Sequence, residues 1–159
     1  MKNCCDLHPH LELRIIGKAN KDAVELLEVY DHQKQYIASN KKSLETASSE
    51  EYRDIARPFA IYADGKLVGF TMFAFELTSI DPNDRYWLWR FMIDQHSQGK
   101  GYGSAALEKI IDYFKQHGAD HILLSTKETN ASALSLYHKY RFTETGDMNE
   151  DEIILRLNL

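Results

Sequence analysis

The chain has 159 residues, 43% of them hydrophobic, and a net charge of −5. That size and apolar content fit one domain spanning 1–159 with a substantial core, while three prolines and eight glycines are too few for a disordered or fibrous chain. The acidic balance counts against nucleic acid and acidic membrane as partners, since both are bound through a basic face. Cys4 and Cys5 are adjacent and are the only cysteines, so neither an ordinary structural disulfide nor a CxxC zinc pair is expected. No apolar run approaches the roughly 20 residues of a membrane span. The opening MKNCCDLHPH lacks the apolar centre of a signal peptide, and a cytoplasmic protein is expected.

Alternation in 11–16 predicts a first strand. Asn20 then stands where a helix N-cap would, with Val24, Leu27 and Tyr30 at helical spacing, and a second helix is predicted over 33–47. Residues 59–77 read as two strands joined at Asp64-Gly65, a strong hairpin signal. A long strand follows at 85–94. The next helix runs from about Gly101 to Gln116, with Leu107, Ile110, Ile111 and Phe114 on one face and Gly118 as its stop. A buried strand at 121–126, a helix at 130–140 and strands at 141–146 and 152–159 complete the chain. The order predicts a mixed α/β domain built round one sheet.

The stretch between the long strand and its helix, Gln98-Gly99-Lys100-Gly101-Tyr102-Gly103-Ser104, is the most informative in the chain. Glycines are common in turns, and the three here can be punctuation alone. Their position argues for more. They follow a strand and open a helix, whose first N–H groups have no intrahelical partners, and without Cβ atoms a ligand can approach those donors. Such a terminus favours anions, and Lys100 and the Gln98 amide can add donors. The stretch suits a phosphate. Two other phosphate motifs do not fit: no GxxxxGK[ST] string occurs, and the spacing is GxGxG rather than GxGxxG.

The pattern Q/R-x-x-G-x-G/A that residues 98–103 satisfy resembles the acetyl-coenzyme A loop of the GNAT acetyltransferases. The element order resembles that family's fold along nearly the whole chain, and NASALSLYHKYRF (130–142) is similar to the helix that commonly ends its core. The stretches GKLVGFTMF, WLWRFMIDQHSQGKGYG and YIASNKKSLETA resemble the bacterial spermine/spermidine branch. The resemblance implies one mixed, mostly antiparallel sheet of about seven strands flanked by about four helices, acetyl-CoA as cosubstrate and no metal. It also implies a small-molecule amine as acceptor and, as a family tendency, a homodimer.

By the same resemblance, the strand before the loop splays from its neighbour and offers the backbone of Phe91, Met92 and Ile93 to the pantetheine arm. Asn130 corresponds to an asparagine that orients the coenzyme or the catalytic tyrosine, and it also suits a plain helix cap. Tyr137 occupies the general-acid position: a phenol near pKa 10 is protonated at neutral pH and can donate to a departing thiolate. A packing role suits an aromatic on this apolar face too, and Tyr140 is the adjacent alternative. The base is harder to place. Where the polyamine branch often carries an acidic residue, this chain has Trp89, which leaves Glu76, Asp94, Glu28 and Asp31 as candidates and Glu28, Asp31, Glu76 and Trp89 as candidate acceptor contacts. His117 and His121 lack a shared helix and an HExxH string, so no metal site is expected. The resemblance makes a primary amine of a polyamine such as spermidine or spermine the expected acceptor, acetylated by direct transfer, with a protein N-terminus, an amino acid or a drug-like amine as the alternative. A coenzyme-sensing domain without turnover stays open beside them.

Overall fold

A computed structural model describes residues 9–159. The expectations placed on Cys4, Cys5 and the N-terminal segment lie outside the described residues. Within them, seven strands form one sheet in the order β1-β2-β3-β4-β5-β7-β6. The strands are β1 (Leu11–Ile15), β2 (Ala56–Ala63), β3 (Lys66–Phe75), β4 (Tyr86–Ile93), β5 (His121–Thr126), β6 (Thr143–Asn149) and β7 (Glu152–Asn158). Pairing is antiparallel throughout except between β4 and β5, which run parallel. The helices are α1 (Lys21–Leu26), α2 (Asn40–Ala47), α3 (Tyr102–Gln116) and α4 (Ala131–Lys139). No helix of the described residues is long and apolar enough to cross a membrane.

Side chains of the sheet divide between two layers, as the alternation of strand residues requires. Phe73, Phe75, Leu88, Leu124 and Leu155 pack with Leu107, Ile110 and Phe114 of α3, and α4 joins this layer through Leu134, Leu136 and Tyr137. On the opposite face Phe70, Met72 and Met92 meet Val24 of α1 with Leu44 and Ala47 of α2. Ile153 and Leu155 of β7 belong to the α3 layer. By alternation Glu152 and Ile154 therefore point to the other face, where α1 and α2 cover the β2–β4 side of the sheet.

The predicted element order is observed, and the boundaries differ where local chemistry decides. At Asp64-Gly65 both residues take positive φ (48° and 80°), and Ala63 pairs with Lys66 across the two-residue turn. The first helix stops at Leu26, short of Tyr30. A 3₁₀ turn at Asp31–Gln33 and irregular chain replace the start of the predicted second helix, which begins at Asn40 behind a Ser39 cap. Asn20 precedes α1 without capping it: its Oδ1 accepts from Gly17 N–H (2.9 Å) and its Nδ2 donates to the Ile15 carbonyl (3.2 Å). Strand β6 extends to Asn149, beyond the predicted end at 146. It bends at an irregularity between Glu144 and Met148 around Gly146, whose φ is 89°. Gly118 follows α3 at φ 80°, the left-handed geometry that ends a helix.

Candidate active site

Strand β4 pairs along its length with β3, but its described pairing with β5 is confined to Trp87↔Leu123. Beyond that point the two parallel strands diverge, and a wedge opens between Leu88–Ile93 and Leu124–Thr126. Which backbone groups face it follows from the ladder. Asp94 N–H donates to the Val68 carbonyl (2.8 Å), and the Arg90 carbonyl accepts from Thr71 Oγ1 (2.8 Å), so residues 90, 92 and 94 address β3. In a strand, alternate residues turn to opposite neighbours. The main-chain groups of Phe91 and Ile93 therefore face the wedge. Met92 does not share that direction: its carbonyl is aimed at Gly69 of β3, and its side chain lies in the α1/α2 layer.

A bulge sits at the head of the wedge. Met72 pairs with Arg90 and Phe73 with Leu88, which leaves Trp89 as the extra residue of β4. The Trp89 carbonyl accepts from Arg90 Nη1 at 2.8 Å, and its indole meets Tyr52 edge-on at 5.3 Å between centroids. Arg90 Nε is buried without a partner among the described residues, and burial lowers the Arg90 pKa against the opposing pull of Glu152.

At the wide end the chain turns through Gly99 (φ 76°) and Gly101 (φ 82°) into α3. The first α3 bond described runs from Ala105 N–H to the Gly101 carbonyl (3.2 Å), so the N–H groups of Tyr102, Gly103 and Ser104 start the helix without intrahelical acceptors. No atom comes within 4 Å of where a Cβ would stand on Gly99 or Gly101. Gly103 has Leu136 Cδ2 at 3.8 Å from its would-be Cβ, an ordinary contact that brings α4 against the start of α3.

Gln98 is used differently from the expectation. Its Nε2 donates to the Ile93 carbonyl (2.9 Å) and to Gln33 Oε1 (2.8 Å), while its Oε1 accepts from Gln33 Nε2 (3.1 Å). The amide braces the loop to the end of β4 and is not free for an anion. Lys100 is exposed and lies outside the cleft lining. Ser104 is outside it as well, and its carbonyl is within reach of the Tyr140 hydroxyl at 3.2 Å.

Wedge, loop and the uncovered face of the sheet merge into one cleft of about 1170 Å³. Tyr137 and Asn130 of the α4 segment line it. Tyr137 packs against Phe142 at 5.6 Å between centroids, and burial pushes its phenol well above the ordinary value, so the hydroxyl stays protonated. Tyr140 is turned away, its hydroxyl reaching Glu108 Oε1 of α3 at 2.7 Å. Asn130 does not cap α4 through its side chain; Nδ2 donates to Thr126 Oγ1 (3.2 Å) at the end of β5. Across the mouth, Tyr36 donates from its hydroxyl to the Thr129 carbonyl at 3.0 Å, tying the segment before α2 to the β5–α4 turn.

The candidate carboxylates from the first helical region fall outside this cleft. Glu28 and Asp31 are exposed and share Lys34, at 3.8 and 2.9 Å, and Glu76 is exposed at the end of β3. Asp94 is occupied as a brace, accepting from the N–H groups of Glu28 (2.9 Å) and His96 (3.1 Å). Trp89 does line the cleft. The sequence reading missed Glu150, Asp151 and Glu152, which the β6–β7 hairpin brings to the cleft wall. They read as an ordinary polar turn, and only the sheet order reveals that β7 lies beside β5. Among the described residues no group of three or more His, Cys, Asp or Glu side chains converges as a metal-binding set.

A sheet with a single parallel pair prised open, and a glycine turn leading into a helix at the open end, make a fold shared with solved acetyltransferases. Residues 21–142 match the acetyltransferase (GNAT) family; the chain belongs to it and is an acetyl-CoA-dependent acetyltransferase. It is 33% identical over 151 residues to a probable spermine N(1)-acetyltransferase of Bacillus subtilis subsp. natto, covering 92% of this chain and 97% of that one. The spermine/spermidine N(1)-acetyltransferase of Bacillus subtilis strain 168 is 32% identical over the same spans. A solved spermidine N-acetyltransferase from Vibrio cholerae, in complex with CoA and spermine, superposes with a TM-score of 0.69 at 20% identity, covering 94% of each chain.

Proposed function

We propose that this protein transfers an acetyl group from acetyl-CoA to a primary amine of a linear polyamine of the spermidine and spermine type. The observation that carries the acceptor class is the identity of about one residue in three to the two Bacillus enzymes along 92% of the chain. The cleft supports the reading: it is open and bordered by carboxylates on the β6–β7 side, which suits a polycation.

The pyrophosphate would lie over the α3 N-terminus at Gly99–Ser104, where free N–H groups and missing Cβ atoms meet. The pantetheine arm would enter the wedge as an added strand, pairing with the backbone of Phe91 and with the Ile93 N–H, since Gln98 holds the Ile93 carbonyl. In this assignment Phe91 N–H, next to the bulge, is the donor for the oxyanion that forms when the amine attacks the thioester. Tyr137 gives its proton to sulfur as the carbon–sulfur bond breaks. A high phenol pKa keeps that proton available at neutral pH.

A second reading rests on Trp89, whose indole and the Tyr52 ring give the acceptor side an aromatic wall suited to an aromatic or apolar amine. The discriminating experiment is kcat/KM for spermidine, spermine, an aromatic monoamine and an N-terminal peptide in one buffer. Polyamines leading by tenfold or more is the expected result. A monoamine or peptide leading by that margin refutes the polyamine acceptor, and absence of free-thiol release with every amine would point to a sensor.

A further inference from the structure

We propose that Glu152 is the group that receives the acceptor's ammonium and takes its proton; the proposal rests on the acetyl-transfer reading above. Trp89 of β4 brings no acidic group to the cleft, and Asp94, Glu28, Asp31 and Glu76 are braced or outside it. Glu152 differs from all of these. It is half-buried, lines the same cleft as Tyr137, and opens β7 directly after the two-residue Glu150-Asp151 turn that Asn149↔Glu152 closes. Its backbone is thus fixed by the hairpin on one side and by the β5 ladder on the other, where Ile153 pairs with Thr126.

The side chain is held as well. Ser125 Oγ, on the adjacent β5 strand, donates to Glu152 Oε2 at 2.6 Å. That leaves Oε1 with no hydrogen-bond partner among the described residues. Alternation places Ser125 and Glu152 on the sheet face that α1 and α2 leave uncovered over β5 and β7. The bulge at Trp89 and Arg90 lies across the wedge from them. One carboxylate oxygen fixed and one open is the arrangement a proton acceptor needs.

The atoms balance without a further reactant. The ammonium enters with three N–H protons, and Glu152 removes one, freeing the lone pair. The nitrogen attacks the thioester carbonyl, the C–N bond forms and the C–S bond breaks as Tyr137 protonates sulfur. The second nitrogen proton restores Tyr137 through solvent, Glu152 returns its own to solvent, and the amide keeps the third. The charged groups around Glu152 are Arg90 of β4, which interacts with it electrostatically, and Glu150 and Asp151 of its own turn, Asp151 being paired to Lys127 at 3.3 Å; Tyr137 of α4 lines the same cleft.

Glu152→Gln keeps the shape and the Ser125 bond while removing the basic oxygen. With spermidine, kcat/KM at pH 7 is expected to fall by 100-fold or more, with acetyl-CoA affinity by calorimetry unchanged. The loss should shrink as pH rises toward the amine pKa, because the substrate then arrives already deprotonated. A carboxylate that merely holds the ammonium would raise KM and leave kcat and the shape of the profile alone; that result, or unchanged kinetics, overturns the proposal. Should Glu152→Gln fail to fold, Glu152→Asp gives the decision. It keeps the charge and shortens the reach, so kcat should fall at least tenfold, and full kcat refutes. If the parent protein transfers acetyl to no amine, the acetyl-transfer reading has failed rather than the role of Glu152.

Discussion

Gly69 of β3 is where the wedge is most sensitive to one added methyl. It pairs with Ile93, the last residue of β4, and a Cβ there would collide with the Met92 carbonyl oxygen and stand 3.0 Å from Ile93 Cδ1. Ordinary contact begins near 3.4 Å, so the β4 backbone must retreat, and backbone cannot rotate out of the way as a side-chain tip does. Overpacking of this kind typically costs about 1–3 kcal/mol. In a chain of this length each kcal/mol lowers Tm by about 2–4 °C. Gly69→Ala should therefore unfold roughly 2–12 °C earlier in a thermal melt. The displaced segment is also the one whose Phe91 and Ile93 backbones are assigned to pantetheine, so acetyl-CoA affinity should fall at least threefold. An unchanged Tm, with unchanged affinity, would show that β3 and β4 slide freely here and would refute the claim that their spacing sets the wedge.

Gly101→Glu adds a side chain and a negative charge at a left-handed residue where the space is open, and should weaken acetyl-CoA binding at least tenfold by calorimetry; parent-like affinity would remove the pyrophosphate from this loop. Tyr137→Phe should lower kcat by one or more orders of magnitude with little change in coenzyme affinity, and an unchanged kcat under rate-limiting chemistry would refute the acid role. The raised Tyr137 pKa also sets a sign: burial favours the neutral phenol, so its stabilising contribution is complete below about pH 10 and fades only as pH rises through the folded-state value, and kcat should show no alkaline limb from this group below pH 10. Glu28→Gln with Asp31→Asn should change spermidine KM by less than twofold, because both carboxylates lie outside the cleft and share Lys34.

The elements of the fold were legible because each is written locally. Asp64-Gly65 specifies a turn by positive φ, and Leu107, Ile110 and Phe114 specify a helix face by spacing. The glycine stretch was legible for the same reason. What misled were polar side chains whose amides are taken by partners that local spacing does not announce. Gln98 looks like an anion donor until Gln33, 65 positions away, takes its amide. Asn20 and Asn130 look like caps, but their amides reach Ile15 and Thr126 instead. Glu152 carries no signal at all in the sequence, since its meaning depends on β7 inserting between β5 and β6.

The bulge also gives Trp89 its structural setting. An extra residue there leaves the Trp89 carbonyl to be satisfied by Arg90 Nη1, which fixes a half-buried guanidinium at the head of the wedge. A neighbouring carboxylate on β4 would be drawn into an ion pair with that cation and held ionised as a weaker base. Glu152 sits on another strand, anchored by Ser125 rather than by the arginine, with which it forms no ion pair within 4 Å among the described residues. Arg90 then lends long-range positive potential to the site, while the carboxylate keeps one oxygen open toward the amine. The aromatic side chain at position 89 is left to pack on Tyr52 and to offer its face to the methylene stem or the cationic end of the acceptor.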